Sequence, residues 1–230
     1  MDELALKDSR RLTGPNLLLD SPGAVIEVAL GGHAAERVVE AWRDSARRIL
    51  EALGWGSETL STRIHSGGAS LALSAPVDVL YAATEVNEWA WEAAVAAVSG
   101  GSEPGLNEAA ERLRETIAAE RNPKLIALRA AAHQHGVRFL SDDDEASVGS
   151  GRGSLSWPVD SLPEPDEVPW ERVHDVPVVL VTGSNGKTTT VRLVAAMASA
   201  AGRTPGYSST DGIFIGRELV DEDDWSGPGG

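Results

Sequence analysis

The stretch Val178-Val179-Leu180-Val181, followed by Thr182-Gly183-Ser184-Asn185-Gly186 and then by residues 187–201, constrains the fold more than any other part of the chain. A continuous β-branched run predicts a strand buried on both faces. The segment after it carries Val191, Leu193, Val194, Ala195, Met197 and Ala198 at helical spacing and stops at Gly202. Residues 204–208 read as the next strand. Strand, glycine loop, helix and strand spell a βαβ unit of a parallel α/β sheet, with a right-handed crossover. Residues 213–220, interrupted by Gly216, read as a hairpin.

The loop inside that unit has its own chemistry. Gly183 and Gly186 carry no side chain, so backbone amides can close on bound phosphates, and the helix that follows adds its positive N-terminal pole. On this reading Gly183, Ser184, Asn185, Gly186, Lys187, Thr188 and Thr189 cradle the phosphates of ATP. Lys187 reaches the β- and γ-phosphates as a point charge, and the Thr188 hydroxyl faces Mg2+. The generic pattern for such loops has a glycine where this chain has Val181. The competing reading is a tight strand-to-helix turn with an incidental Lys-Thr.

Upstream, the chain reads as mixed α and β. Residues 24–30 suit a strand. Residues 33–53 place Val38, Val39, Trp42, Ala46, Ile49, Leu50 and Leu53 on one helical stripe that Gly54 ends. Residues 62–65 and 70–74 read as strands of a hairpin turning at Gly67-Gly68. Residues 77–82 read as a strand and 86–98 as a helix closed by Gly100-Gly101-Ser102. Two helices follow, over 106–120 and 124–135, the second with Pro123 at its first turn and Gly136 after its end. Residues 137–140 suit a strand. Asp142-Asp143-Asp144-Glu145 reads as a solvated turn, and Gly149-Ser150-Gly151-Arg152-Gly153 as a hairpin turn rather than a second phosphate loop.

Between Trp157 and Pro177 lie Pro158, Pro163, Pro165 and Pro169 among acidic residues. Proline lacks the amide hydrogen and disfavours helix in its neighbour, which predicts an extended linker. The expected organisation is a mixed α+β domain over 1–157, a linker over 158–176, and an incomplete P-loop parallel α/β domain over 177–230.

The 230 residues carry a formal net charge of -15. That balance argues against a nucleic-acid surface, which needs clustered Lys and Arg. The chain has no cysteine, which excludes disulfides and thiolate metal sites and fits a reducing cytosol. There is no secretory pattern at Met1-Asp2-Glu3-Leu4, and no apolar run approaches the roughly 20 residues that span a bilayer. A cytoplasmic protein without nucleic-acid or membrane partners is expected, and nothing in the sequence argues against a homo-oligomer.

Residues 181–190, Val-Thr-Gly-Ser-Asn-Gly-Lys-Thr-Thr-Thr, resemble the ATP loop of the Mur ligase superfamily. Within it, the cyanophycin synthetase family matches further. Residues 201–213, with Thr210-Asp211-Gly212-Ile213, look like that family's segment after the first helix, and Ser226-Gly227-Pro228 is similar to its later Gly-Pro turn. Leu12-Thr13-Gly14-Pro15-Asn16 and Glu85-Val86-Asn87-Glu88 resemble pieces of its N-terminal domain. The resemblance implies an ATP-dependent carbon–nitrogen ligase that activates a carboxylate as an acyl phosphate for attack by an amino acid or peptide amine. It assigns Lys187 to the transferring phosphoryl group and Thr188 with Thr210, joined by Ser209, to Mg2+. The ATP-grasp domain of that family has no counterpart here, and the metal-binding acid and C-terminal domain expected further along are missing. The reading is therefore a truncated chain, inactive alone.

Two other function classes remain open from sequence. One is another P-loop enzyme such as a kinase or GTPase, although no Asn-Lys-x-Asp motif occurs. The other is a non-catalytic protein that binds a polymer or a partner. Asp221-Glu222-Asp223-Asp224 reads as a solvated loop. His33, His65, His133, His135 and His174 read as structural or surface residues, and Trp42, Trp89 and Trp91 as core.

Overall fold

A computed structural model of the chain describes residues 4–225. Residues 226–228, assigned above to a Gly-Pro turn, lie outside them. The chain divides into two compact units, Met1–Val148 with Leu155–Glu171, and Gly149–Ser154 with Arg172–Gly230.

The first unit is built on β1 (Leu4–Leu12), β2 (Gly23–Leu30), β3 (Leu60–His65) and β4 (Gly68–Ser74). They form one antiparallel sheet in the order β1-β2-β4-β3. Two helices, α1 (Ala35–Leu53) and α2 (Leu80–Ser99), pack on each other and on one sheet face. The alternation of strand side chains makes this possible. Ile26 lies opposite Leu71 and Ala24 opposite Leu73. With Trp42, Ile49 and Leu50 of α1, these side chains are almost wholly buried, and each large one contributes roughly 1.5–3 kcal/mol. On the reverse face Val25 pairs with Ala72, and Leu12, Leu18 and Leu19 pack there.

Asn87 of α2 is fully buried and ties three elements together. Its Oδ1 accepts from Trp42 Nε1 at 2.9 Å, and its Nδ2 donates to Leu71 O at 3.0 Å and Ala24 O at 3.4 Å. Asn16, in the other matching segment, shapes the β1–β2 loop. Its Oδ1 accepts from the amides of Leu18 and Leu19 at 2.8 and 3.1 Å. Both segments that resembled a known N-terminal domain therefore hold polar anchors of the fold.

Residues 77–82 are not a strand. Residues 77–79 turn, with Val79 N donating to Pro76 O at 3.2 Å, and α2 begins at Leu80. The reason is remote in sequence. Glu120, the last residue of α3 (Leu106–Glu120), accepts from the amides of Tyr81 and Ala82 at 2.7 and 2.8 Å. A carboxylate at a helix N-terminus satisfies orphan donors and the dipole together. α4 (Pro123–Gln134) starts with proline as expected, and the Asn122 side chain caps it by accepting from Leu125 N.

β5 (Phe139–Ser141), β6 (Glu145–Val148) and β7 (Leu155–Pro158) form an antiparallel sheet. The acidic turn between β5 and β6 is more than a solvated turn. Asp143 accepts from Arg11 and, at 2.7 Å, from Tyr81 Oη, and Arg11 lies 3.9 Å from the Tyr81 ring centroid. Arg11, then Tyr81, hold the Asp143 carboxyl below the usual carboxylate range. A lowered carboxylate stabilises the fold above its unfolded pKa, and that share disappears as pH falls through the lower folded value. Because the Asp143 side chain is 50% exposed, the effect is screened to about 1 kcal/mol or less. Asp143→Ala should lower the urea midpoint slightly at neutral pH, and the variant and parent curves should converge in acid. A difference that persists in acid would point to packing instead.

The proline-rich segment is folded, not extended. It makes single helical turns at Val159–Ser161, Pro165–Glu167 and Trp170–Arg172. Glu164 and Glu167 form a reciprocal capping box around Pro165. Leu162 and Val168 are buried, Trp170 stacks on His135 of the α4 terminus at 4.3 Å, and Lys124 donates to Leu162 O at 3.2 Å. The prolines start turns here, and Trp170 and Lys124 tie those turns to α4 and its C-terminal cap.

The second unit holds α5 (Lys187–Ala200) and an antiparallel meander of β8 (Gly206–Ser209), β9 (Gly212–Ile215) and β10 (Glu218–Asp221). The hairpin expected at Gly216 is β9–β10. The parallel βαβ pairing is not formed among the described residues. Residues 178–181 pair with no strand, and Val179 and Leu180 are 67% and 91% exposed. β8 pairs only with β9, antiparallel. A strand buried on both faces needs neighbours on each side and cover above and below, and no such layer surrounds residues 178–181 in this unit.

Candidate functional site

The glycine loop runs directly into α5, as its sequence requires. Gly183 (φ 147°) and Gly186 (φ 78°) adopt conformations that disfavour side chains. A Cβ at Gly186 would meet nothing within 4 Å, and one at Gly183 only Asn185 O at 3.7 Å. Conformation therefore imposes these two glycines, and the space beside them is open. Ser184 and Asn185 between them are exposed. α5 begins without a side-chain cap, and its first ladder bond is Thr190 N to Gly186 O at 2.9 Å. The amides of Lys187, Thr188 and Thr189 at that start are the orphan donors of the helix.

Lys187 folds back across the loop, where its Nζ donates to Gly183 O at 2.9 Å. Its ammonium is thus held over the loop, on a neutral acceptor that an anion can replace. Thr188 Oγ1 lies 3.2 Å from Thr210 Oγ1. The two residues assigned to a metal from opposite ends of α5 and β8 are brought together by the fold. Thr189 is exposed on the helix start. Ser209 does not join them. It is buried, and its Oγ accepts from Asp211 N at 3.2 Å, which shapes the turn that carries Thr210.

The turn itself is a two-residue connection, Thr210-Asp211, because Ser209 pairs with Gly212. Gly212 has φ 118°, and a Cβ there would sit 2.1 Å from Asp221 O. Gly212→Ala should therefore disrupt the meander at a cost of about 2 kcal/mol or more, and move Thr210 away from Thr188. Amide exchange of β8–β10 would register it, and unchanged protection would exclude this role for Gly212.

One contact at the site was not read from sequence. Arg192 Nη2 pairs with Asp211 Oδ2 at 2.8 Å. Arg192 lies one helical turn after Thr188, and Asp211 directly follows Thr210, so the ion pair clamps the same two elements beside the hydroxyls. The i, i+4 spacing from Thr188 was the available signal. At the end of β10, Asp221 accepts from Asp223 N at 2.9 Å, which lowers its carboxyl pKa. Among the described residues no His, Asp or Glu cluster fits a metal ion, and no helix is long and apolar enough to cross a membrane.

No protein-family model matches the chain. Curated relatives match part of it. Cyanophycin synthetase of Crocosphaera subtropica is 50% identical over 60 residues, 26% of this chain and 7% of that protein. That of Geminocystis herdmanii is 44% identical over 75 residues, 33% and 8% respectively, and that of a Synechocystis species 49% over 53 residues, 23% and 6%. The matched stretch is under a tenth of each relative's length. Over a quarter to a third of its residues, this chain is similar to cyanophycin synthetases.

Proposed function

We propose that the loop from Gly183 to Thr189 binds ATP with Mg2+ and serves an ATP-dependent ligase that joins a carboxylate to an amine. The observation that carries this reading is the convergence of Thr188 and Thr210 hydroxyls at 3.2 Å beside a glycine loop that opens an uncapped helix. The partial similarity to cyanophycin synthetases supports the ligase class. On this reading residues 1–157 form an N-terminal domain, joined through residues 158–176 to an ATP-binding domain that includes residues 177–230.

The residues present fit the groups implied. Hydroxyl oxygens suit a hard cation, and open space beside two glycines suits close approach of phosphate oxygens. Bound MgATP would supply the phosphoryl group that activates a carboxylate as an acyl phosphate. The chain's own part is positioning and charge neutralisation. The amides at the start of α5 donate to phosphate oxygens. Lys187, whose ammonium donates to Gly183 O, would hold a phosphate oxygen. Thr188 and Thr210 would hold Mg2+ with their hydroxyl oxygens, and the Arg192–Asp211 pair holds their spacing. The carboxylate and amine substrates are an amino acid or a peptide.

Calorimetry with ATP and GTP, each with and without Mg2+, tests the reading. Magnesium-dependent binding that prefers ATP is the expected result. Preference for GTP would move the chain to another class of P-loop enzyme, and binding of neither would end the nucleotide reading.

A further inference from the structure

The first unit holds a cavity of about 430 Å³ between α1 and β3, far in sequence from the glycine loop. Arg43, Arg47 and Glu51 line it from successive turns of α1, Glu58 from the loop after Gly56, and Leu50 with Leu60 form its apolar wall. The run from Arg43 to Glu51 rises roughly 12 Å along the helix.

The cavity is polarised. β3 runs antiparallel to α1, since Leu60 lines the cavity near the end of α1 while Thr62 accepts from Arg43 Nη2 at 2.7 Å. The two guanidinium groups therefore mark one end, and Glu51 with Glu58 mark the other. Glu58 is fixed in place: it accepts from Ser74 Oγ, and Ser74 Oγ accepts from Thr59 N at 2.8 Å. Among the described residues, none of these four charged side chains forms an ion pair. α1 has no basic residue of its own in its last turn, and Arg114 of α3 donates to Ala52 O there, beside Glu51. Four opposed charges on one small cavity, separated rather than paired, match a ligand that carries both signs.

We infer that this cavity binds a small zwitterion of the amino-acid or dipeptide class. Arg43 and Arg47 take its carboxylate, for which a guanidinium has the matching planar fork. Glu51 and Glu58 take its ammonium group, and half-buried Leu60 packs against the chain between. The volume falls in the range of small-molecule sites. The assignment does not depend on the nucleotide reading, because no residue is shared.

The full chain, labelled with 15N, should be titrated with alanylalanine, and in parallel with N-acetylalanine and alaninamide, each carrying one of the two charges. Saturable shifts confined to α1, residues 56–58 and β3 are expected with the dipeptide, with a dissociation constant on the order of 1 mM and about tenfold weaker binding of either single-charge probe. Arg47→Gln and Glu51→Gln, both exposed and free of contacts the fold uses, should each weaken the dipeptide about tenfold. Absence of saturation, equal binding of all three probes, or unchanged affinity in both variants would overturn the assignment. Because ATP binding is measured separately, either reading can fail without the other.

Discussion

Lys187→Ala should weaken MgATP binding by about ten- to a hundredfold, with the melting temperature unchanged. Lys187 Nζ makes one recorded bond, to Gly183 O, so removing it costs the resting fold little. With ATP present, the same ammonium is a charge-assisted donor to a phosphate, worth about 1.5–3 kcal/mol, and each 1.4 kcal/mol is about tenfold in affinity. Calorimetry on parent and variant from the same preparation gives the ratio, and circular dichroism controls for folding. Thr188→Val is the companion, because it keeps the shape and removes a hydroxyl oxygen. It should weaken ATP in the presence of Mg2+ and change little in its absence. Equal affinities of Lys187→Ala and the parent would detach the loop from nucleotide binding, and the ligase reading with it.

Asn87→Leu should remove roughly 3–5 kcal/mol from the first unit. The side chain is fully buried and satisfies Trp42 Nε1, Ala24 O and Leu71 O at once. Leucine fits the volume but leaves buried Trp42 Nε1 without a partner, at about 1–3 kcal/mol, and removes one bond from each of two strand carbonyls, at about 1 kcal/mol each. That loss is a large share of the roughly 5–15 kcal/mol that holds a domain together. Urea denaturation followed by tryptophan fluorescence measures it. Asn87→Asp separates the causes. It keeps an acceptor for Trp42 but sets a carboxylate against two carbonyl oxygens, so it should be as damaging as leucine or worse. A loss under about 1 kcal/mol in both variants would show that α1, α2 and the sheet hold together by apolar contact alone.

Much of the candidate site was legible because it depends on local rules. A glycine loop that leads into a helix is fixed by backbone freedom and helix-forming residues in direct succession, and α5 starts at Lys187 as read. The stripe of Val38, Trp42, Ile49 and Leu50 and the hairpin at Gly67-Gly68 were likewise local. What failed depended on partners elsewhere in the chain. Residues 77–82 have strand-like composition, but Glu120 caps a helix there. The proline-rich segment reads as a linker until Trp170 meets His135. Residues 178–181 read as a buried strand, yet burial is a property of neighbours, and among the described residues they have no sheet partner.

The sequence by itself determined the loop, the helix it opens, the helices and the hairpins of the first unit, because periodicity, caps and glycine positions act over a few residues. Only the tertiary structure decided that Thr188 and Thr210 meet, that Arg192 clamps Asp211 beside them, and that Asn87 joins α1 to two strands. The same holds for the four charges that line the α1–β3 cavity without pairing. Contacts between residues far apart in the chain form only after loop closure, and closure depends on which apolar faces find each other. Local pattern carries no record of that choice.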